Sequence, residues 1–104
     1  MELEDLTMIC MQMISSAGEG RSLVYEAMDL YLNDEFEKAD LQLIEAEKSL
    51  GEAHRMQFED LMAHQSRGEN IPFSLLLLHA MDITLVSTSE HDMLRTLINH
   101  KLKN

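Results

Sequence analysis

Between Ile71 and Val86 the chain leaves no helical face for water. Positions 71, 73, 75–78, 80, 81, 83, 85 and 86 are all apolar, and the leucine run Leu75 to Leu78 leads straight into His79 and Asp82. A helix that is apolar all round has to be covered on all sides. A bilayer would cover it, but the run falls short of the ~20 residues a span requires, and two titratable groups interrupt it. Direct membrane insertion is therefore not expected, and other protein must cover this segment.

The preceding sequence supplies two helices for that purpose. Leu6, Ile9, Met13, Ala17, Gly20, Val24, Ala27 and Tyr31 recur every three or four positions, which predicts one buried stripe on a helix over about residues 4–32. Asn33-Asp34 breaks the pattern. Asp34 is the expected cap of a second helix over about 34–66, with Glu37 completing a capping box. That helix is expected to bury Phe36, Ala39, Leu43, Ala46, Leu50, Ala53 and Leu61, and to carry Asp34–Lys38, Glu45–Lys48 and Glu52–Arg55 as solvated pairs. The second break is RGENIP, residues 67–72. Gly68 suits a helix end, and Pro72 suits the first turn of a third helix over about 71–102. Scarce Gly (4) and Pro (1) fit long helices, so the 104 residues are expected to form one all-α domain, an antiparallel three-helix bundle. Gly18 and Gly20 lie inside the first helix, where glycine costs about 1 kcal/mol against alanine. Close helix packing and room for a functional groove both account for them.

Two helices cannot enclose a third completely. The remaining face is expected to meet copies of itself in a homo-oligomer, a device that also helps a chain this short to bury enough surface. Leu75, Leu78, Asp82 and Leu85 follow the 3-4-3 spacing of a self-packing seam, which would put Asp82 on a symmetry axis. His79 points ~60° away from Asp82, toward the rim of the seam. Carboxylates gathered around an axis must take up protons or bind a cation, and a hard divalent ion such as Mg2+ suits them. The same two residues also fit a packed, hydrogen-bonded histidine and an aspartate paired nearby; as a metal motif the pair supplies only two ligands.

Charge narrows the partners. The net charge of −11 falls wholly in residues 1–70, while residues 71–104 balance to zero. An acidic surface repels nucleic acid and anionic membranes, so a protein partner is expected and nucleic acid is not. The single Cys10 cannot form an intramolecular disulfide, and the acidic start MELEDLTM lacks the basic flank and apolar run of a signal peptide. A cytoplasmic protein is expected.

The order of three segments adds to this reading. ISSAGEGRSLVYEAM, then EFEKADLQLIEAEKSLGEAHRMQFEDL, then PFSLLLLHAMD closely resembles the IIA component of the lactose/cellobiose-specific family of the bacterial phosphoenolpyruvate-dependent sugar phosphotransferase system. The resemblance covers about residues 10–103. Its markers are Ala17-Gly18 with Arg21-Ser22, Glu45-Ala46, Ala53-His54 with Gln57, and the third-segment motif. It implies a homotrimer assembled through the third helices and a transient phosphohistidine at His79. The phosphoryl group would come from the histidine-containing phosphocarrier protein and pass to a cysteine of the IIB component, so Cys10 is not the transfer cysteine. The resemblance also implies that Asp82 faces the axis and holds one divalent metal per trimer.

The sequence departs from the family pattern most consequentially where two polar residues are lost. The family motif usually reads HAQDHLM, whereas residues 79–85 read HAMDITL, so Met81 replaces a glutamine and Ile83 a histidine. Part of the polar support is thereby removed. Two alternatives stand beside the carrier: a diverged, weak or inactive member acting as a regulatory, protein-binding trimer, and a purely structural oligomer with a metal-filled axis. His54 either lines a groove or packs on the third helix. His64, His91 and His100 show no metal-ligand spacing and are expected to be surface or structural. Met8, Met11 and Met81 are candidates for an interface.

Overall fold

The computed structural model describes residues 1–103. The first stripe becomes α1 (Leu3–Leu32), and the second becomes α2 (Phe36–Arg55), a π-helical segment (Met56–Met62) and a last short turn, α3 (Ala63–Ser66). The third becomes α4 (Leu75–Lys103). The expected three-helix bundle is present, drawn out to 50 × 20 × 16 Å. Leu6, Cys10 and Met13 of α1 share a cluster with Ala80 of α4 at one end, while Val24 and Ala27 share another with Leu94 and Ile98 at the far end. α1 and α4 therefore run parallel, and α2 returns antiparallel between them.

The two clusters meet at a waist of small side chains. Ala17, Gly20, Ala53, Thr84 and Ser87 are all buried. Thr84 and Ser87 keep their hydroxyls satisfied by donating to the carbonyls four residues back, Ala80 at 2.8 Å and Ile83 at 2.6 Å. A Cβ added at Gly20 would lie 2.7 Å from Leu50, so close helix packing accounts for this glycine. At Gly18 a Cβ would meet nothing within 4 Å, so neither reading of that glycine finds support.

The breaks differ in detail from the expected ones. Asp34 does not cap α2. It adopts φ 62°, the left-handed position that ends α1, with its N–H donating to Tyr31 and that of Glu35 donating to Leu30. These two bonds satisfy carbonyls that the end of α1 would otherwise leave open. Glu35 then stands at the start of α2, makes no side-chain cap and takes the Lys38 ion pair expected of Asp34. The pairs Glu45–Lys48 and Glu52–Arg55 form as expected. Gly68 (φ 85°) closes α3 with the same two-bond pattern, Gly68 to Gln65 and Glu69 to His64. Pro72 does not open α4, which starts at Leu75; residues 69–74 form an extended link, and the Leu77 N–H donates to the Ser74 hydroxyl at 3.4 Å. Among the described residues no helix is long and apolar enough to cross a membrane.

Candidate functional site

One side of α4 packs into the bundle through Ala80, Thr84, Ser87, Leu94 and Ile98. The opposite side is uncovered. Leu75 is 74% exposed and Leu85 68%, values that a single chain has no other means of lowering. Leu78, Val86, Met93 and Leu97 continue the apolar surface, with Asp82 in its middle. The Asp82 carboxylate makes no hydrogen bond or ion pair among the described residues.

His79 stands on one flank of this face. It is exposed, and its ring makes no hydrogen bond or ion pair among the described residues. Glu90, eleven residues on, lies ~20° away around the helix and so marks the same flank. Glu90 accepts from Arg21 Nε at 2.7 Å and from the Tyr25 hydroxyl at 2.8 Å, which identifies this flank as the one that touches α1. The hydrogen bond from Arg21 holds the Glu90 carboxyl below the usual carboxylate range against partial burial, with Tyr25 adding to it.

The other flank touches α2. Thr88, nine residues after His79 and therefore ~180° around the helix, shares a 2.7 Å hydrogen bond with His54 Nε2. A groove of about 210 Å³ runs along this flank, lined by His54, Gln57, Met81, Asp82, Thr84 and Leu85. It opens toward a wider apolar hollow of about 600 Å³ beside Phe73, Leu77 and Met62. Gln57 belongs to both, and its side-chain amide has no hydrogen-bond partner among the described residues. Further along, Arg95 bridges Asp40 and Glu47, and His91 bridges Glu47 and Asp92. Burial raises the Glu47 pKa, but the hydrogen bonds from His91 and Arg95 outweigh it and leave this carboxyl below its ordinary value. This network clamps α2 to α4.

The chain matches the family described as "PTS system, Lactose/Cellobiose specific IIA subunit" over residues 8–101. The chain belongs to the lactose/cellobiose-specific IIA family of the sugar phosphotransferase system. Within that family it is 31% identical to the lactose-specific EIIA component of Lactococcus lactis subsp. lactis, across 94% of this chain and 92% of the relative. It is also 31% identical to the oligo-beta-mannoside-specific EIIA component of Bacillus subtilis (strain 168), across 100% and 96%. A crystal structure of PtcA from S. mutans superposes with a TM-score of 0.91 at 26% identity, covering 95% of this chain and 96% of that one. The cellobiose-specific enzyme IIA from Bacillus anthracis superposes at 0.85 with 28% identity, covering 99% and 92%.

In this IIA chain the two expected site residues do not meet as a pair of ligands. His79 and Asp82 share the uncovered side of α4 but point to different parts of it. No three His, Cys, Asp or Glu side chains converge on a metal position among the described residues. Cys10 is fully buried, and burial pushes its thiol up, which leaves it unsuited to nucleophilic work. His54 does both things expected of it, bonding α4 and lining the groove. His64 pairs with Glu69 and His91 with Glu47, so both are structural. The π-helical segment that carries Gln57 was not expected from the sequence. It shows in the structure as a change in the buried stripe, which runs Ala53, Met56, Leu61, with a five-residue step that no α-helix repeats; in the sequence the apolar Phe58 conceals that step.

Proposed function

We propose that the chain is a phosphoryl carrier of sugar uptake. His79 accepts a phosphoryl group from the histidine-containing phosphocarrier protein and passes it to the IIB component, for a sugar that is phosphorylated as it enters the cell. The observation that carries this reading is the His79 ring itself: exposed, without a partner among the described residues, and set on the flank of a large apolar face. A histidine kept for packing would be hydrogen-bonded and enclosed. Family membership supports the same role.

The chemistry follows from the imidazole, whose unprotonated ring nitrogen is a nucleophile. A ring nitrogen directs its lone pair at phosphorus; the new N–P bond forms as the P–N bond to the donor histidine breaks, and the departing imidazole keeps the bonding pair. Passing the group on repeats the exchange, with the thiolate of IIB as acceptor. Such transfers depend on in-line placement and charge stabilisation more than on covalent help from the protein. In the trimer, Leu75, Leu78 and Val86, which the single chain leaves exposed, would be covered and would limit water near the labile N–P bond.

The carrier is a cytoplasmic homotrimer built on α4 in this reading. Fully burying one leucine is worth about 1.5–3 kcal/mol, and Leu75, Leu78 and Leu85 would all gain from facing their copies. Asp82 has no partner among the described residues of its own chain, as expected of a carboxylate that meets its copies around an axis. Three such carboxylates offer the all-oxygen donor set that a divalent ion, Mg2+ by its hardness, prefers. Bound there, the ion would neutralise the clustered charge. Phosphorylation tests the role of His79. Incubation with phosphoenolpyruvate, the general first enzyme and the phosphocarrier should add one acid-labile phosphoryl group to the intact mass, and His79→Ala should abolish it. Absence of the adduct with several cognate carriers would favour a second reading, a trimer that acts by protein binding. Met81, beside the groove and without a donor where the family usually has glutamine, motivates that reading.

A further inference from the structure

The groove along the α2 flank of α4 has no assigned work, and it is lined by an amide, Gln57, that lacks a hydrogen-bond partner among the described residues. Within a single chain it cannot serve His79. Thr88 and His54 fix the groove on one flank of α4, and Glu90 with Arg21 fixes His79 on the other, half a turn away. A ring of identical subunits changes this. When copies are related by rotation about an axis parallel to α4, the α1 flank of one subunit abuts the α2 flank of the next. The helices share one direction and one height, so His79 of one subunit faces the neighbour's groove at the level of Met81, Asp82 and Gln57.

We propose that Gln57 of the partner subunit binds the phosphoryl group carried by His79, donating its amide N–H to a phosphoryl oxygen. The inference rests on the carrier and trimer reading above and adds a specific residue to it. Three observations support Gln57 over its neighbours. Its amide is unpartnered, whereas His54 already shares its Nε2 with Thr88. Met81 and Leu85 offer no donor, and Asp82 would repel the group. Gln57 also sits in the first turn of the π-helical segment, where the wider winding departs from the α-helical positions that α2 would otherwise impose. Such segments cost stability relative to an α-helix and concentrate at functional sites. A hydrogen bond to a charged group that is made in the transition state contributes about ten- to a hundredfold in rate.

Mixed trimers test this. Gln57→Leu homotrimers should be phosphorylated about ten- to a hundredfold more slowly than wild type in single turnover. Co-expressing Gln57→Leu chains with differently tagged His79→Ala chains, and purifying trimers that carry both tags, places intact Gln57 beside intact His79 across subunit boundaries. A fraction of the histidines, set by the mixing ratio, should then regain the wild-type rate, giving two-phase kinetics. A purely structural role of Gln57 would give no such rescue. Gln57→Glu, of nearly the same shape, replaces Gln57→Leu if the latter does not assemble, and the same rescue is expected. Full-rate Gln57→Leu homotrimers, or slow ones that mixing leaves slow, would overturn the inference and leave the carrier role standing. Wild-type chains that take no phosphoryl group would overturn the carrier role, and this inference with it.

Discussion

Two glycines two residues apart on α1 are opposed tests of what the bundle requires. Gly20 packs so close to α2 that a Cβ would meet Cγ and Cδ2 of Leu50 at 2.7 Å and the Ala46 carbonyl at 3.3 Å. Gly18 faces open space. In a bare helix both replacements by alanine would gain about 1 kcal/mol. Here Gly18→Ala should stabilise by about 0.5–1 kcal/mol. Gly20→Ala should destabilise by about 1–3 kcal/mol, because the inner part of Leu50, not just its flexible tip, has to move. Thermal unfolding of the two variants should therefore shift in opposite directions. The same contrast shows why residue roles were only partly legible: both glycines lie in the same helical pattern, and the sequence carries no sign of which one faces a neighbour. His79 and Asp82 stood out because titratable groups in a leucine run call for a reason; in the chain both are exposed, and their roles rest on the phosphorylation and metal measurements.

At the level of elements, periodicity identified all three helices and their main contacts, while the joints were less legible. Asp34 suits a helix start as well as a left-handed helix end, since its short polar side chain serves both. The deciding facts are the Glu35-to-Leu30 and Asp34-to-Tyr31 hydrogen bonds, which depend on where α2 has to begin. Glycine fits the left-handed position without the Cβ penalty, so Asp34→Gly should raise stability by about 0.5–1 kcal/mol in chemical denaturation. A loss of that size would mean that Asp34 contributes through its side chain. Pro72 was misleading for a similar reason, being compatible with a first helical turn and with an extended link. The π-helical segment leaves its mark in the burial pattern, as a five-residue step between Met56 and Leu61, which the sequence hides because Phe58 keeps a three-residue spacing to Leu61 and yet is exposed.

For the whole molecule, the sequence was most informative where it conflicted with a monomer. One side of α4 was too apolar to face water, and in the structure of the chain it does so, with Leu75 and Leu85 among its most exposed positions. Assembly around that side gives two expected outcomes. Wild type should sediment at three times the 11.9 kDa chain mass, and Leu85→Glu, which places a charge in the seam, should sediment as a monomer. Asp82→Leu should keep the trimer but lose its divalent metal, and chelator should then have no effect on assembly. Equal metal content in Asp82→Leu and wild type would remove Asp82 from the metal site.

The parallel course of α1 and α4 gives the molecule a direction. In a trimer whose α4 helices run side by side, the three His79 rings form a single belt near the start of those helices. Lys103 lies twenty-four residues further on, ~36 Å away at 1.5 Å per residue. If His79 is the carrier residue, donor and acceptor proteins would have to share that belt, each displacing the other. The opposite pole lies far from that belt, so a tag or anchor there could hold the particle while all three stations stay in reach of traffic.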